Sequence, residues 1–143
     1  MKKFQYSLET VMDYKTQLLD RVQREFSEVM ARLRRQRQYL ELLYERRREL
    51  ETEFGKLKQR GGAIQRFQLF QEVLDRRSEE ILLEEGRLRK LQEETDRKQT
   101  ELVEAKVDVS KFEKLKEHKL SDYQRDIRKA DERFIEEFII HKR

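Results

Sequence analysis

His118 and His141 are the only two histidines of the chain, and neither has a second ligand at the spacing of the usual zinc motifs. Solvated histidines on a helix face are the simpler reading. Gly61-Gly62 is not followed by Lys-Ser or Lys-Thr at the position a phosphate-cradling loop requires. Ser110-Lys111-Phe112-Glu113 has the form of a capping box, but it lies inside an unbroken heptad run, which makes the match incidental. Carboxylates are abundant, yet a pair on a solvated helix lacks the burial that tunes an acid and a base apart. The absence of cysteine excludes a disulfide framework, a thiolate nucleophile and a thiolate metal site, and makes a reducing cytoplasm the expected setting. These residues argue against an enzyme and give no ground for a cofactor or a metal. They leave recognition between proteins.

The elements that would present such recognition are helices. There is no proline in 143 residues, so nothing removes a backbone donor or clashes with a preceding turn. One glycine pair, Gly61-Gly62, is the natural point of reversal. The chain is 45% charged and 36% hydrophobic, too little apolar material for a thick core but enough for a narrow seam, and a 3.5-residue period in such a chain is a coiled-coil signature. No apolar run approaches the ~20 residues needed to cross a bilayer, and the N-terminus has no signal-peptide stretch. The expected fold is all-α: a long antiparallel two-helix coiled-coil hairpin with a short irregular or helical tip.

One stripe recurs at three- and four-residue steps through Leu8, Val11, Lys15, Leu18, Val22, Phe26, Val29, Leu33, Gln36, Leu40, Leu43, Arg47, Leu50, Phe54 and Leu57. A second runs through Ile81, Leu88, Leu91, Thr95, Lys98, Leu102, Ala105, Val109, Phe112, Lys116, Leu120, Tyr123, Ile127, Ala130, Phe134 and Phe138. Each contains two consecutive four-residue steps, at Leu18-Val22-Phe26 and Phe112-Lys116-Leu120, where a supercoil relaxes. If these stutters face each other, Val22 lies near Lys116, Phe4 near Phe134 and Leu57 near Ile81. A single coiled-coil domain over 1–143 then has a first helix at about 4–57, a turn and short tip helix at 58–80, and a second helix at 81–141. The competing register is a tight turn at Gly61-Gly62 with the second helix continuous from about residue 64. Leu57 then meets Ile64–Phe67, and the second helix overhangs the N-terminus by several turns. Ile64, Phe67, Leu69, Phe70, Val73 and Leu74 either cap the seam or form an exposed patch that meets another protein.

Lys and Arg number 34 against 30 Asp and Glu, a net charge of +4. Arg32, Arg34, Arg35, Arg37, Arg46, Arg47 and Arg48 make the first helix locally basic. Most basic stretches are interleaved with Glu at spacings that allow pairing across helix turns, so a solvated, ion-paired face is expected. An acidic protein dock ranks second and nucleic acid third, since no reading motif accompanies the charge.

The residues resemble a known family. Phe4-Gln5-Tyr6-Ser7-Leu8-Glu9-Thr10-Val11-Met12 is similar to the Phe-x-Phe-x-Leu-x-x-Val-Leu start of the flagellar export family FliJ. Phe67, Phe70 and Leu74, leading to Ile81, resemble its aromatic-x-x-Phe-x-x-x-Leu segment after a glycine turn. The run Ala105 to Glu117 resembles its charged stretch around Lys-x-Phe/Leu-Glu-Lys-Leu, and Tyr123 with Asp131-Glu132 falls where an aromatic and an acidic pair are usual. The resemblance covers nearly the whole chain. It implies a non-enzymatic antiparallel coiled coil of the flagellar type III export apparatus, similar to the central stalk of rotary ATPases. Such a stalk inserts its terminal end into a ring of the export ATPase FliI, contacts the membrane export gate FlhA and escorts export chaperones. The implied place is cytoplasmic, peripheral to the membrane at the flagellar base, with no nucleic acid and no small-molecule substrate. Carried over by position, the ATPase-binding end is Phe4, Leu8, Val11, Phe134 and Phe138. The gate-binding surface is Gln36, Leu40, Leu43, Phe70 and Leu74, although Leu43 and Arg47 stand where some members carry tyrosines. The alternatives are the stalk of a virulence type III system and a generic scaffold or nucleic-acid-associated rod.

Overall fold

The computed structural model describes residues 3–142 and consists of two α-helices, α1 (Glu9–Arg60) and α2 (Ile64–Lys142), paired as an antiparallel helical hairpin. Among the described residues there is no strand. α1 starts behind a turn closed by the Glu9 amide donating to the Tyr6 carbonyl at 3.1 Å. Glu9 lies in its first turn and Lys58 and Arg60 in its last, the signs that suit the helix dipole at each end.

α1 ends because Gly61 turns left-handed, at φ 75°, and its amide donates to the Leu57 carbonyl at 2.8 Å. That is the single-bond left-handed cap, which only glycine adopts cheaply. A Cβ on Gly62 would sit 3.3 Å from Leu57 Cδ1, so a side chain there would press on the Leu57 methyl and shift it slightly. Three residues reverse the chain, and α2 then runs unbroken for 79 residues. The expected separate tip over 58–80 therefore does not form. Phe67, Phe70, Val73 and Leu74 are half-buried and begin the second seam, while Ile64 and Leu69 stay exposed. The Phe54 ring meets Phe67 (6.0 Å) and Phe70 (5.4 Å, interplanar angle 9°). Burial of the Phe54 ring, with the partial burial of Phe67 and Phe70 against it, favours the tight turn over matching two stutters, because apolar area removed from water stabilises in proportion.

The tight-turn register is thus the one adopted, and the stutter-matched pairing is overturned. Ile81 packs against Leu40 and Leu43, not Leu57. Lys116 pairs with Glu9 at 3.0 Å rather than lying near Val22.

Contacts divide the chain into two compact units, residues 24–100 and residues 1–23 with 101–143. In the first unit the core is Leu40, Leu43 and Ile81, with Tyr44 and Leu88 against it. Val29, Leu33, Phe54 and Thr95 are buried along the same seam. Lys98 reaches Glu25 at 2.7 Å and Arg32 reaches Glu94 at 3.4 Å, both across the pair. In the second unit Tyr6, Val22, Leu102, Ala105 and Val109 are buried. Lys15 pairs with Asp108 at 3.5 Å.

Candidate functional site

In the unit formed by 1–23 and 101–143, a non-helical N-terminal segment lies along α2. Tyr6 is buried and its hydroxyl donates to the Phe112 carbonyl at 3.2 Å. Phe4 is half-buried, its ring 5.4 Å from that of Tyr123. Leu8 is half-buried and Val11 exposed. These residues form one group, but the tight turn shifts it along α2, so Phe4 meets Tyr123 and not the expected Phe134.

α2 continues past this segment. Every side chain from Arg128 to His141 is exposed, including Phe134 (70%), Ile135, Phe138, Ile139 and Ile140. At about 100° per residue, Phe134, Phe138, Ile135 and Ile139 cover an arc of roughly 140°, and Ile140 falls on the opposite side. The arc is one broad apolar face, and Glu132, Arg133, Glu136 and Glu137 share the other side with Ile140, so these last turns are amphipathic with their apolar face uncovered.

The candidate residues in the unit formed by 24–100 lie in its seam. The Gln36 amide nitrogen donates to Glu84 Oε2 at 2.6 Å and to the Glu84 carbonyl at 3.1 Å. Leu40 and Leu43 are buried at 2% and 0% exposure, Phe70 stacks on Phe54, and Leu74 is half-buried. Gln36, Leu40 and Leu43 are thus together but turned inward, while Phe70 and Leu74 pack nearer the turn. On the outer faces Tyr39, Leu42, Leu82 and Leu83 are exposed.

Two tyrosines flank the seam. Tyr39 donates to Glu80 at 3.1 Å and Tyr44 to Glu85 at 3.0 Å. The bond to Glu80, with burial and that carboxylate's charge, raises the Tyr39 phenol above its usual range. Burial, then the bond to Glu85, raises Tyr44. Each carboxylate accepts from the protonated phenol and opposes its ionisation.

Sequence reasoning missed two seam residues. Glu84 is 5% exposed, held by Gln36 and by Arg87 at 2.7 Å. The signal was the step from Ile81 to Leu88, which leaves a seam position vacant at 84 unless a charged residue fills it. Tyr6 was detectable in the alternation of Phe4, Tyr6 and Leu8, which marks an extended segment with one face against a partner. Among the described residues no group of three or more His, Cys, Asp or Glu could hold a metal ion. No described helix is long and apolar enough to cross a membrane.

The family model described as "Flagellar FliJ protein" matches residues 4–142. The chain belongs to the FliJ family. No curated protein and no solved structure matches it. Membership makes this FliJ chain a component of flagellar protein export, of the stalk type and in a non-catalytic family. The match spans both helices, the turn at Gly61-Gly62 and the whole apolar end of α2.

Proposed function

We propose that this FliJ chain is the non-enzymatic central stalk of the flagellar export apparatus. In this reading it promotes assembly and activity of the export ATPase ring of FliI, couples the ring to the membrane export gate FlhA, and escorts export chaperones. It acts in the cytoplasm, held at the membrane through its partners.

The observation that carries the reading is the apolar end of α2. Phe134, Ile135, Phe138 and Ile139 leave one broad apolar face uncovered on the last turns of α2, and the wall of an encircling ring of subunits would cover it. Phe4, Leu8 and Val11 stand at the base of that end and would meet the mouth of the ring. For the gate we propose the segment containing Gln36, Leu40, Leu43, Phe70 and Leu74. Leu40 and Leu43, being buried, would act there by fixing the backbone that carries the contact.

The test is ATP hydrolysis by the cognate FliI, with and without this chain, and with F134A/F138A. Stimulation by the parent chain that disappears in the variant, at unchanged helicity, is the expected result. Equal stimulation by both would remove the α2 end from the contact, and no stimulation by either would remove the stalk role.

A further inference from the structure

The basic stretch of α1 differs from its expected ion-paired state. Between residues 31 and 48 seven arginines stand against two glutamates, Glu41 and Glu45, leaving +5. The whole chain carries only +4, so these five turns hold all of its net positive charge. Arg32 pairs with Glu94 and Arg47 lies 3.9 Å from Glu51. The other five, Arg34, Arg35, Arg37, Arg46 and Arg48, form no side-chain hydrogen bond or ion pair among the described residues, and all five are exposed. For Arg34 and Arg35 the cause is in the spacing. Arg34 and Arg35 have Met30, Ala31, Arg32, Arg37, Gln38 and Tyr39 at the three- and four-residue positions, so no carboxylate of their own helix is in reach.

This charge frames an apolar stripe. Arg35, Tyr39, Leu42 and Arg46 follow one another at steps of four, three and four, which places them along one outward line of α1. Tyr39 and Leu42 are 40% and 42% exposed. The Tyr39 ring is fixed by its hydroxyl bond to Glu80 on α2, so its free edge is held ready. A stripe with heptad spacing, apolar in the middle and cationic at both ends, is the complement of a helix with an apolar line flanked by carboxylates.

We infer that this face of α1 docks an acidic amphipathic helix of a partner protein, with Leu42 and the Tyr39 ring against its apolar line and Arg35 and Arg46 on its carboxylates. Arg34 lies about a quarter turn from this stripe and adds attraction at longer range, whereas Arg37 faces the opposite side of the helix. Nucleic acid fits less well, because Glu41, Glu45 and Glu49 alternate with the arginines and would repel successive phosphates, and because Leu42 would have no role there. The face is distinct from the buried Leu40 and Leu43, and the inference stands whether or not the gate or ATPase contacts do.

The test is fluorescence anisotropy with the whole chain and a labelled designed peptide of about three heptads, leucine at the seam positions and glutamate beside them. The parent chain should bind it, with affinity falling as salt rises. R35E/R46E should weaken binding about tenfold or more, and Leu42→Ser alone about fivefold. Helicity should be unchanged, since all three side chains are exposed. Absence of binding, equal binding of a lysine-for-glutamate peptide, or insensitivity to R35E/R46E would each overturn the inference. A single-stranded oligonucleotide held more tightly than the peptide would replace it with a nucleic-acid face.

Discussion

Replacing Gln36 alone and replacing Gln36 together with Glu84 should move stability in opposite directions. Glu84 is 5% exposed, and its carboxylate accepts from Gln36 at 2.6 Å and from Arg87 at 2.7 Å. Gln36→Leu removes one of those donors and leaves an oxygen with little water to replace it, a cost of about 1.5–3 kcal/mol for a bond to a charged group. The added apolar surface returns about 1 kcal/mol, so the net loss is about 1–2 kcal/mol. In Q36L/E84L the layer becomes apolar between Leu33, Leu40, Ile81 and Leu88, and the Arg87 side chain, 61% exposed, is released to solvent. The double variant should be more stable than the parent by about 1–2 kcal/mol. Urea unfolding followed by circular dichroism measures both, at a slope that should stay constant. The double variant should then exceed Q36L by roughly 2–4 kcal/mol. A parent that is less stable than Q36L, or a double variant no more stable than Q36L, would refute the argument. The double variant should also be less faithful to one register, since a polar layer is what penalises sliding. Spin labels on the exposed Arg48 and Arg76 should report a broader distance distribution.

Leu43→Ala should cost about 2–4 kcal/mol, because a fully buried side chain leaves a cavity, while Leu42→Ala next to it should stay within about 0.5 kcal/mol. Chemical unfolding separates the two. Gly61→Ala should cost about 1 kcal/mol or more, since alanine is strained at φ 75°. Unfolding midpoints should show that loss, with a smaller one in Gly62→Ala. Tyr44 has a raised phenol pKa in the folded state, so its share of stability is complete below the ordinary tyrosine value of about 10. That share is lost as pH rises through the folded value. Melting temperatures above about pH 10 should fall less steeply in Tyr44→Phe than in the parent.

Much of the pairing could be read from the residues. Along α1 the stripe from Leu8 to Leu57 is buried or half-buried at every position except Val11, because a three-four repeat permits only one face to turn inward. Register was a different matter. Two stutters and one glycine pair each proposed a pairing, and only the three-dimensional contacts of Phe54 with Phe67 and Phe70 decide between them. The same shift separated Phe4 from Phe134. Leu40 and Leu43 belonged to both the seam and the candidate gate surface, and a side chain at 0–2% exposure cannot touch a partner while the pair is closed. Glu84 was legible only as a gap in the repeat between Ile81 and Leu88, because its charge disguises a seam residue until its partner Gln36 is located. The unpaired arginines were concealed by composition: Glu and Arg counts nearly balance over the chain, but not over the turns where these arginines lie.

The exposed end of α2 also bears on how long a copy lasts. Arg128–His141 has no buried side chain, and a helix of about that length is at the margin of persistence without packing. Transient fraying there presents Phe134 and Phe138 to chymotrypsin-like cleavage, at a rate set by the local opening equilibrium rather than by the stability of the paired seam. A copy sheathed by a partner loses that opening, and an orphan keeps it. Limited chymotrypsin digestion should therefore trim the free chain first within this end, while leaving the Leu40–Leu43–Ile81 region intact. Surplus copies would then have a shorter lifetime than engaged ones without any dedicated degradation signal, so the number of stalks would follow the number of assembled machines.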